Sequence, residues 1–216
     1  MAEERSAPAI ANPAPLGLAG FALTTFILSA TNAFGETTAP LLAFIGYALF
    51  YGGLAQFMAG MWEFKTGNTF GAVAFTTYGG FWMGLATWLA LVVFGKVPVA
   101  DVPHTLGWIL LAFAIFNTYM LLWSMLVNVA VFLVFLTLEV TEILLFIGNF
   151  AGAAPGAGLV RVGGLVGLLT ALVAWYTSAA LVGNSMGAPV LPVGGPIWSE
   201  AASPTAARVG PAATGE

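Results

Sequence analysis

The residues able to do chemistry are few and stand in separated groups. Asn12 opens the run Asn12-Pro13-Ala14-Pro15-Leu16-Gly17-Leu18, and Asn68 and Thr69 lie in the polar stretch from Glu63 to Gly71. Thr76, Thr77 and Tyr78 follow closely, and Asn149 is set among glycines at Gly148-Asn149-Phe150-Ala151-Gly152. Asn is a good helix cap and Pro is tolerated in a first helical turn. A helix start of this kind presents free N–H groups and the positive end of the helix dipole, which attract an anion. From the residues alone, ordinary capping at a membrane surface is the favoured account of Asn12. Clustered Thr and Tyr hydroxyls need partners when buried and can line a polar path. Glu139 and Glu142 are spaced i, i+3 and so share one helix face. Carboxyls inside an apolar helix are candidate proton carriers.

Other chemistry is excluded. The chain has no cysteine and one histidine, His104, in a Pro-flanked stretch read as a solvated loop. Thiolate metal sites, disulfides and Cys nucleophiles are therefore ruled out, and a zinc site is not expected. No nucleophile and base stand in a convincing pair, so neither an enzyme nor a bound cofactor is expected. The net charge of −4 opposes nucleic-acid binding. Glu63 and Lys65 read as a surface ion pair of little worth.

These residues must be positioned by membrane helices. Of 216 residues 60% are hydrophobic and only 6% are charged, against about 25% charged in soluble domains. So few charges cannot cover a water-facing surface. A spanning helix needs about 20 apolar residues, and the chain supplies six such spans. They run from Leu16 to Phe34, Pro40 to Trp62, Asn68 to Gly95, twice within Thr105 to Ala154, and from Leu159 to Val182. The double run is divided at Ser124–Asn128. The pairs Gly80/Gly84, Gly148/Gly152 and Gly163/Gly167 have the spacing that favours close helix packing in lipid. The organisation expected is a six-helix domain over residues 12–194, flanked by poorly ordered tails at 1–11 and 195–216. The acidic N-terminus lacks the basic start of a signal peptide, so the first span is expected to be retained. With both termini cytoplasmic, Arg5, Lys65 and Arg208 lie inside against Lys96 and Arg161 outside, a narrow positive-inside bias.

The motifs together resemble the small acetate/succinate transporters of microbes. The resemblance rests on NPAPLGL at 12–18, YGGLAQ at 51–56, Glu63 with GNTFG at 67–71, and Ala74 through Trp82. It continues through IGN at 147–149 and Val190 to Gly194. It implies an all-α membrane protein whose six helices surround a pore in each protomer of a homohexamer. It also implies transport of acetate and related short carboxylates such as succinate, commonly proton-coupled. Phe21, Tyr78 and Leu138 match an apolar constriction, and Ala174 a small pore-facing position linked to substrate size. Asn12, Asn68, Thr69, Thr77 and Asn149 are then candidates for the pore mouths. Such a path would bind a carboxylate at helix N-termini without full positive charges, weakly enough to release it. A channel for small neutral solutes such as urea or amides is the alternative reading.

Two features depart from the family pattern. Glu139 and Glu142 flank the Leu138 position, where negative charge would repel a carboxylate. They are candidates for a proton relay, with a wet vestibule or a shifted helix boundary as the alternative. The turn Ser124–Asn128 carries no basic residue, where the family usually has them.

Overall fold

The computed structural model describes residues 10–35, 39–187 and 190–198, and every regular element among them is helical. The spans are α1 (Ala14–Phe34), a composite second span, α4 (Thr69–Val93), α5 (Val102–Ser124), α6 (Val129–Phe150) and α7 (Gly158–Ser185). The second span comprises α2 (Ala39–Leu49), a π-helical turn (Phe50–Ala55) and α3 (Gln56–Thr66). Six helices are long and apolar enough to cross a membrane, and helices satisfy their backbone groups internally, as hydrocarbon requires. The division of the long apolar run falls where expected. Helix α5 stops at Ser124 and Asn128 caps α6, its side chain accepting from the Val131 N–H at 2.9 Å.

Several boundaries differ from the sequence expectation. The stretch around Pro103 and His104 is not a loop but the first turn of α5, entered from a 3₁₀ turn at Val99–Asp101. Proline fits there because first-turn N–H groups have no partner inside the helix. The exposed His104 accepts from Trp108 Nε1 at 3.1 Å. The second span continues to Thr66 and widens at Phe50–Ala55. There Gly52 and Gly53 lie against Thr24 of α1 and Met83 of α4, and a Cβ on Gly20 would come within 2.6 Å of the Tyr51 carbonyl oxygen. A side chain at any of these positions would push the second span away from its neighbours.

The glycine pairs serve different ends. Gly163 packs on Leu144 and Leu145, and Gly148 on Val160, bringing α6 against α7. Gly164, not singled out by spacing, and Gly167 bring α7 against α1, the most extensive helix pair. A Cβ on Gly164 would lie 2.7 Å from the Ser29 carbonyl oxygen and 2.8 Å from the carbonyl carbon of Asn32. Gly152 does not pack against a helix; with φ 71° it turns the chain out of α6. Gly80 and Gly84 have nothing within 4 Å and lie on an open face, as does Gly46.

After α7 the chain returns as a strap. Asn184 clamps it by accepting from the N–H groups of Val190 and Leu191 and donating to the Leu191 carbonyl. Tyr176 donates to the Pro192 carbonyl and the Ala130 N–H donates to that of Val193. The N–H groups of Ile197 and Trp198 both donate to the Met125 carbonyl, so the chain stays engaged beyond residue 194. Expectations for residues 1–9 and 199–216 lie outside the described residues.

Overpacking at a helix contact costs about 1–3 kcal/mol and more where backbone must move. Gly164→Leu is therefore expected to abolish the monodisperse peak in detergent size-exclusion chromatography. Gly80→Ala, facing open space, is expected to leave protomer folding intact.

Candidate functional site

Three helix starts meet at one end of the bundle, each with an asparagine. Asn12 Oδ1 accepts from the Ala14 N–H at 3.0 Å, just before the Pro13 cap of α1. Asn68 Oδ1 caps α4 through the Gly71 N–H at 3.1 Å, and Asn128 caps α6. All three line a cavity of about 190 Å³, together with Gln56 from the start of α3. Each asparagine turns its oxygen to a helix N–H, and its amide hydrogens are left as the donors, one of those on Asn68 being held by Glu63. The mouth therefore offers donors, and among the described residues that line it there is no cation. Asn68 is held by Glu63, whose Oε2 accepts from its Nδ2 at 2.9 Å and from Thr66 Oγ1 at 3.1 Å. Glu63 is thus buried and turned inward, not paired with exposed Lys65 on the surface. The cause is Gly67, whose φ of 79° reverses the chain and folds Asn68 back over the end of α3.

Beyond the mouth the path narrows. A second cavity of about 40 Å³ is lined by Thr25, Ser29, Trp82, Thr141 and Glu142 among others. Among the described residues, Phe21, Tyr78 and Leu138 alone line both cavities. Phe21 and Tyr78 meet edge-on with ring centroids 5.6 Å apart, and all three residues are buried. A third cavity of about 370 Å³ follows, sharing Leu28, Asn32, Phe81, Leu110 and Leu145 with the second, and Asn149 lines it at the opposite end. The three cavities lie in series along the bundle.

Tyr78 also anchors a polar chain. Its hydroxyl lies 3.0 Å from Asn117 Oδ1 and 3.3 Å from Glu142 Oε1. Asn117 Nδ2 donates to the Phe135 carbonyl at 3.0 Å and to Glu139 Oε2 at 2.7 Å. Thr118 Oγ1 donates to Glu139 Oε1 at 2.8 Å. Glu142 is buried in the second cavity, while half-buried Glu139 turns toward α5 and lines none of the three cavities.

Of the expected site residues, the structure gathers Asn12, Asn68, Phe21, Tyr78, Leu138, Glu142 and Asn149 along this path. It leaves others off it. Thr69 is exposed as the first residue of α4, and Thr77 is half-buried outside the cavities. Ala174 is fully buried in the helix core and lines none of the three cavities. Residues not singled out for chemistry belong to the site: Gln56, Asn117, Asn128, Thr25 and Trp82. An amide within a long apolar run, as at Asn117, was the available signal.

Comparisons with known proteins agree with this architecture. Residues 2–192 match the sequence profile described as the GPR1/FUN34/yaaH family. The chain is 41% identical to Accumulation of dyads protein 2 of Saccharomyces cerevisiae over 84% of its own length and 64% of that protein's. It is 38% identical to the succinate-acetate/proton symporter SatP of Escherichia coli, over 86% of this chain and 96% of the relative. It thus spans less than two thirds of its yeast relatives, with 61% for Ammonia transport outward protein 2, and nearly all of the bacterial one. The solved structure of the bacterial acetate channel SatP superposes with a TM-score of 0.79 at 36% identity, covering 86% of this chain and all of that one.

The cap and donor roles of Asn128 are separable. Asp caps a helix as well as Asn does, whereas Ala forfeits about 1 kcal/mol. Asn128→Asp is expected to keep the thermal midpoint of the wild type but to slow anion flux about tenfold, through charge repulsion at the mouth. A purely structural asparagine would leave flux unchanged.

Proposed function

Because the chain belongs to the GPR1/FUN34/yaaH family, we propose that it carries acetate and related short carboxylates, succinate among them, across a membrane. The observation that carries this reading is the serial path, entered between three asparagines whose oxygens cap helix starts and narrowed at Phe21, Tyr78 and Leu138. Short carboxylic acids titrate near pH 4 to 5, about as side-chain carboxyls do, so acetate reaches the mouth mostly as an anion. Amide dipoles bind it without the grip of a cation, and its methyl group suits an aromatic and aliphatic waist. The named activities of the bacterial and fungal relatives support the same substrate class.

Further parts of the reading have their own supports. Coupling to protons draws on Glu139 and Glu142, joined through Asn117 and Tyr78. Assembly as a homohexamer draws on the family resemblance and on the open glycine face at Gly46, Gly80 and Gly84. Cytoplasmic termini rest on the positive-inside bias and place the asparagine mouth on the cytoplasmic side.

Radiolabelled flux into proteoliposomes tests the proposal. Acetate is expected to enter faster than in protein-free vesicles and faster than urea, and an imposed pH gradient to change the rate. Urea flux with no acetate flux would overturn the reading. Phe21→Ala removes the edge contact with Tyr78 and widens the waist, and is expected to raise the succinate-to-acetate ratio several-fold.

A further inference from the structure

Five buried side-chain atoms among the described residues lack a hydrogen-bond partner, and three of them belong to residues around the small middle cavity. They are Thr25 Oγ1 on α1, Trp82 Nε1 on α4 and Glu142 Oε2 on α6. Native proteins rarely leave such atoms unpaired, so the group needs an explanation. Three orphans from three helices around one cavity suit a guest that is itself polar. At about 40 Å³ the space admits a water or one small polar group. The indole N–H donates only, and the threonine hydroxyl can donate, so the guest is an acceptor.

The hydrogens around Tyr78 identify the third contact. Asn117 presents its nitrogen to the Phe135 carbonyl, which can only accept, so its oxygen faces Tyr78 and also can only accept. The single hydrogen of Tyr78 belongs on Asn117 at 3.0 Å, closer than Glu142 at 3.3 Å. The contact between Tyr78 and Glu142 then takes its hydrogen from Glu142. Glu139, by contrast, is satisfied wholly as an acceptor by Asn117 and Thr118. No cation offsets a charge at Glu142. The cations among the described residues, Lys65, Lys96 and Arg161, all stand at or just beyond helix ends. The titratable groups facing Glu142 are Tyr78 from α4 and Glu139 from its own helix. Helix α5 presents Asn117 there, α1 presents Thr25, Ser29 and Asn32, and α7 presents Thr170, bonded to Thr141.

We propose that the middle cavity is a carboxylate subsite in which Thr25, Trp82 and protonated Glu142 are the donors. The inference rests on the reading that the path carries short carboxylates. The terminal torsion of a Glu side chain is broad and roughly two-fold. The O–H of Glu142 can therefore turn from Tyr78 to the guest while Tyr78 stays bonded to Asn117. The incoming carboxylate then shares the Glu142 proton in a hydrogen bond, and no covalent bond changes. Without that proton the cavity presents a carboxylate to a carboxylate just past the waist, and the two repel strongly in low dielectric. Glu142 thus sets the protonation under which the path conducts.

Infrared difference spectroscopy of the reconstituted protein tests this on the wild type itself. A protonated-carboxyl C=O band is expected near neutral pH, shifting when acetate is added and not when urea is added. Glu142→Gln is expected to remove the band, Glu139→Gln to keep it, and Trp82→Phe to weaken half-saturation of the acetate shift about tenfold, the loss of roughly one buried hydrogen bond. In flux, the wild type is expected to slow about tenfold as pH is raised from neutral into the alkaline range, and Glu142→Gln to lower the rate and reduce that dependence below about twofold. A band indifferent to acetate would mean that water alone occupies the cavity and would overturn the subsite. So would a Glu142→Gln protein with the wild-type band and pH profile. Absence of acetate flux in the wild type would instead remove the transport reading, while the infrared result would still decide whether Glu142 holds a proton.

Discussion

Hydrocarbon offers no water, so each polar atom placed in a span must find its partner within the protein or its cargo. That constraint sorts the polar residues of this chain. Thr24, Thr31, Thr76 and Thr137 turn their hydroxyls back onto carbonyls three or four residues earlier and need nothing further. The three mouth asparagines give their oxygens to helix starts and so find a partner within their own helices. Of the five described residues left with an unpartnered buried atom, Thr25, Trp82 and Glu142 gather past the waist, Gln56 lines the mouth, and Glu63 holds Asn68. Structural and functional polarity are thus distinguished by where the partner comes from, and not by residue type.

The spans were legible because length and hydropathy act locally. A run of about 20 apolar residues has one comfortable solution in a bilayer, and the polar residues Ser124 and Asn128 bounded the break in the long run. The mouth residues Asn12 and Asn68 were legible for the same reason, since a cap acts on its own helix. The waist was not legible from residue types: Phe21 and Leu138 look like ordinary packing residues, and only motif resemblance set them apart.

What escaped the sequence depends on contacts between distant segments. Asn117 acquires its role from Phe135 and Glu139 across the α5–α6 turn and from Tyr78 on α4. Glu63 escaped because the left-handed turn at Gly67 brings Asn68 to it, whereas spacing alone suggested Lys65. The widened turn at Phe50–Ala55 escaped because periodicity arguments assume a regular helix. Its Gly52-Gly53 pair was the visible trace, and its effect is to let α1 and α4 close on the second span. Ala174 shows the converse, since a motif match placed it at the pore while packing buries it in the core.

The asparagine mouth has one further consequence. Dipole fields fade over a few ångströms, and none of the described residues lining this entrance carries a formal charge that would reach into solution as far as the Debye length of about 8 Å at physiological ionic strength. Arrival of an anion is then not electrostatically steered, and occupancy follows bulk concentration over a wide range of salt. Such an entrance suits a solute that is abundant when it is used, and gives up the scavenging of traces that a ring of lysines or arginines would allow.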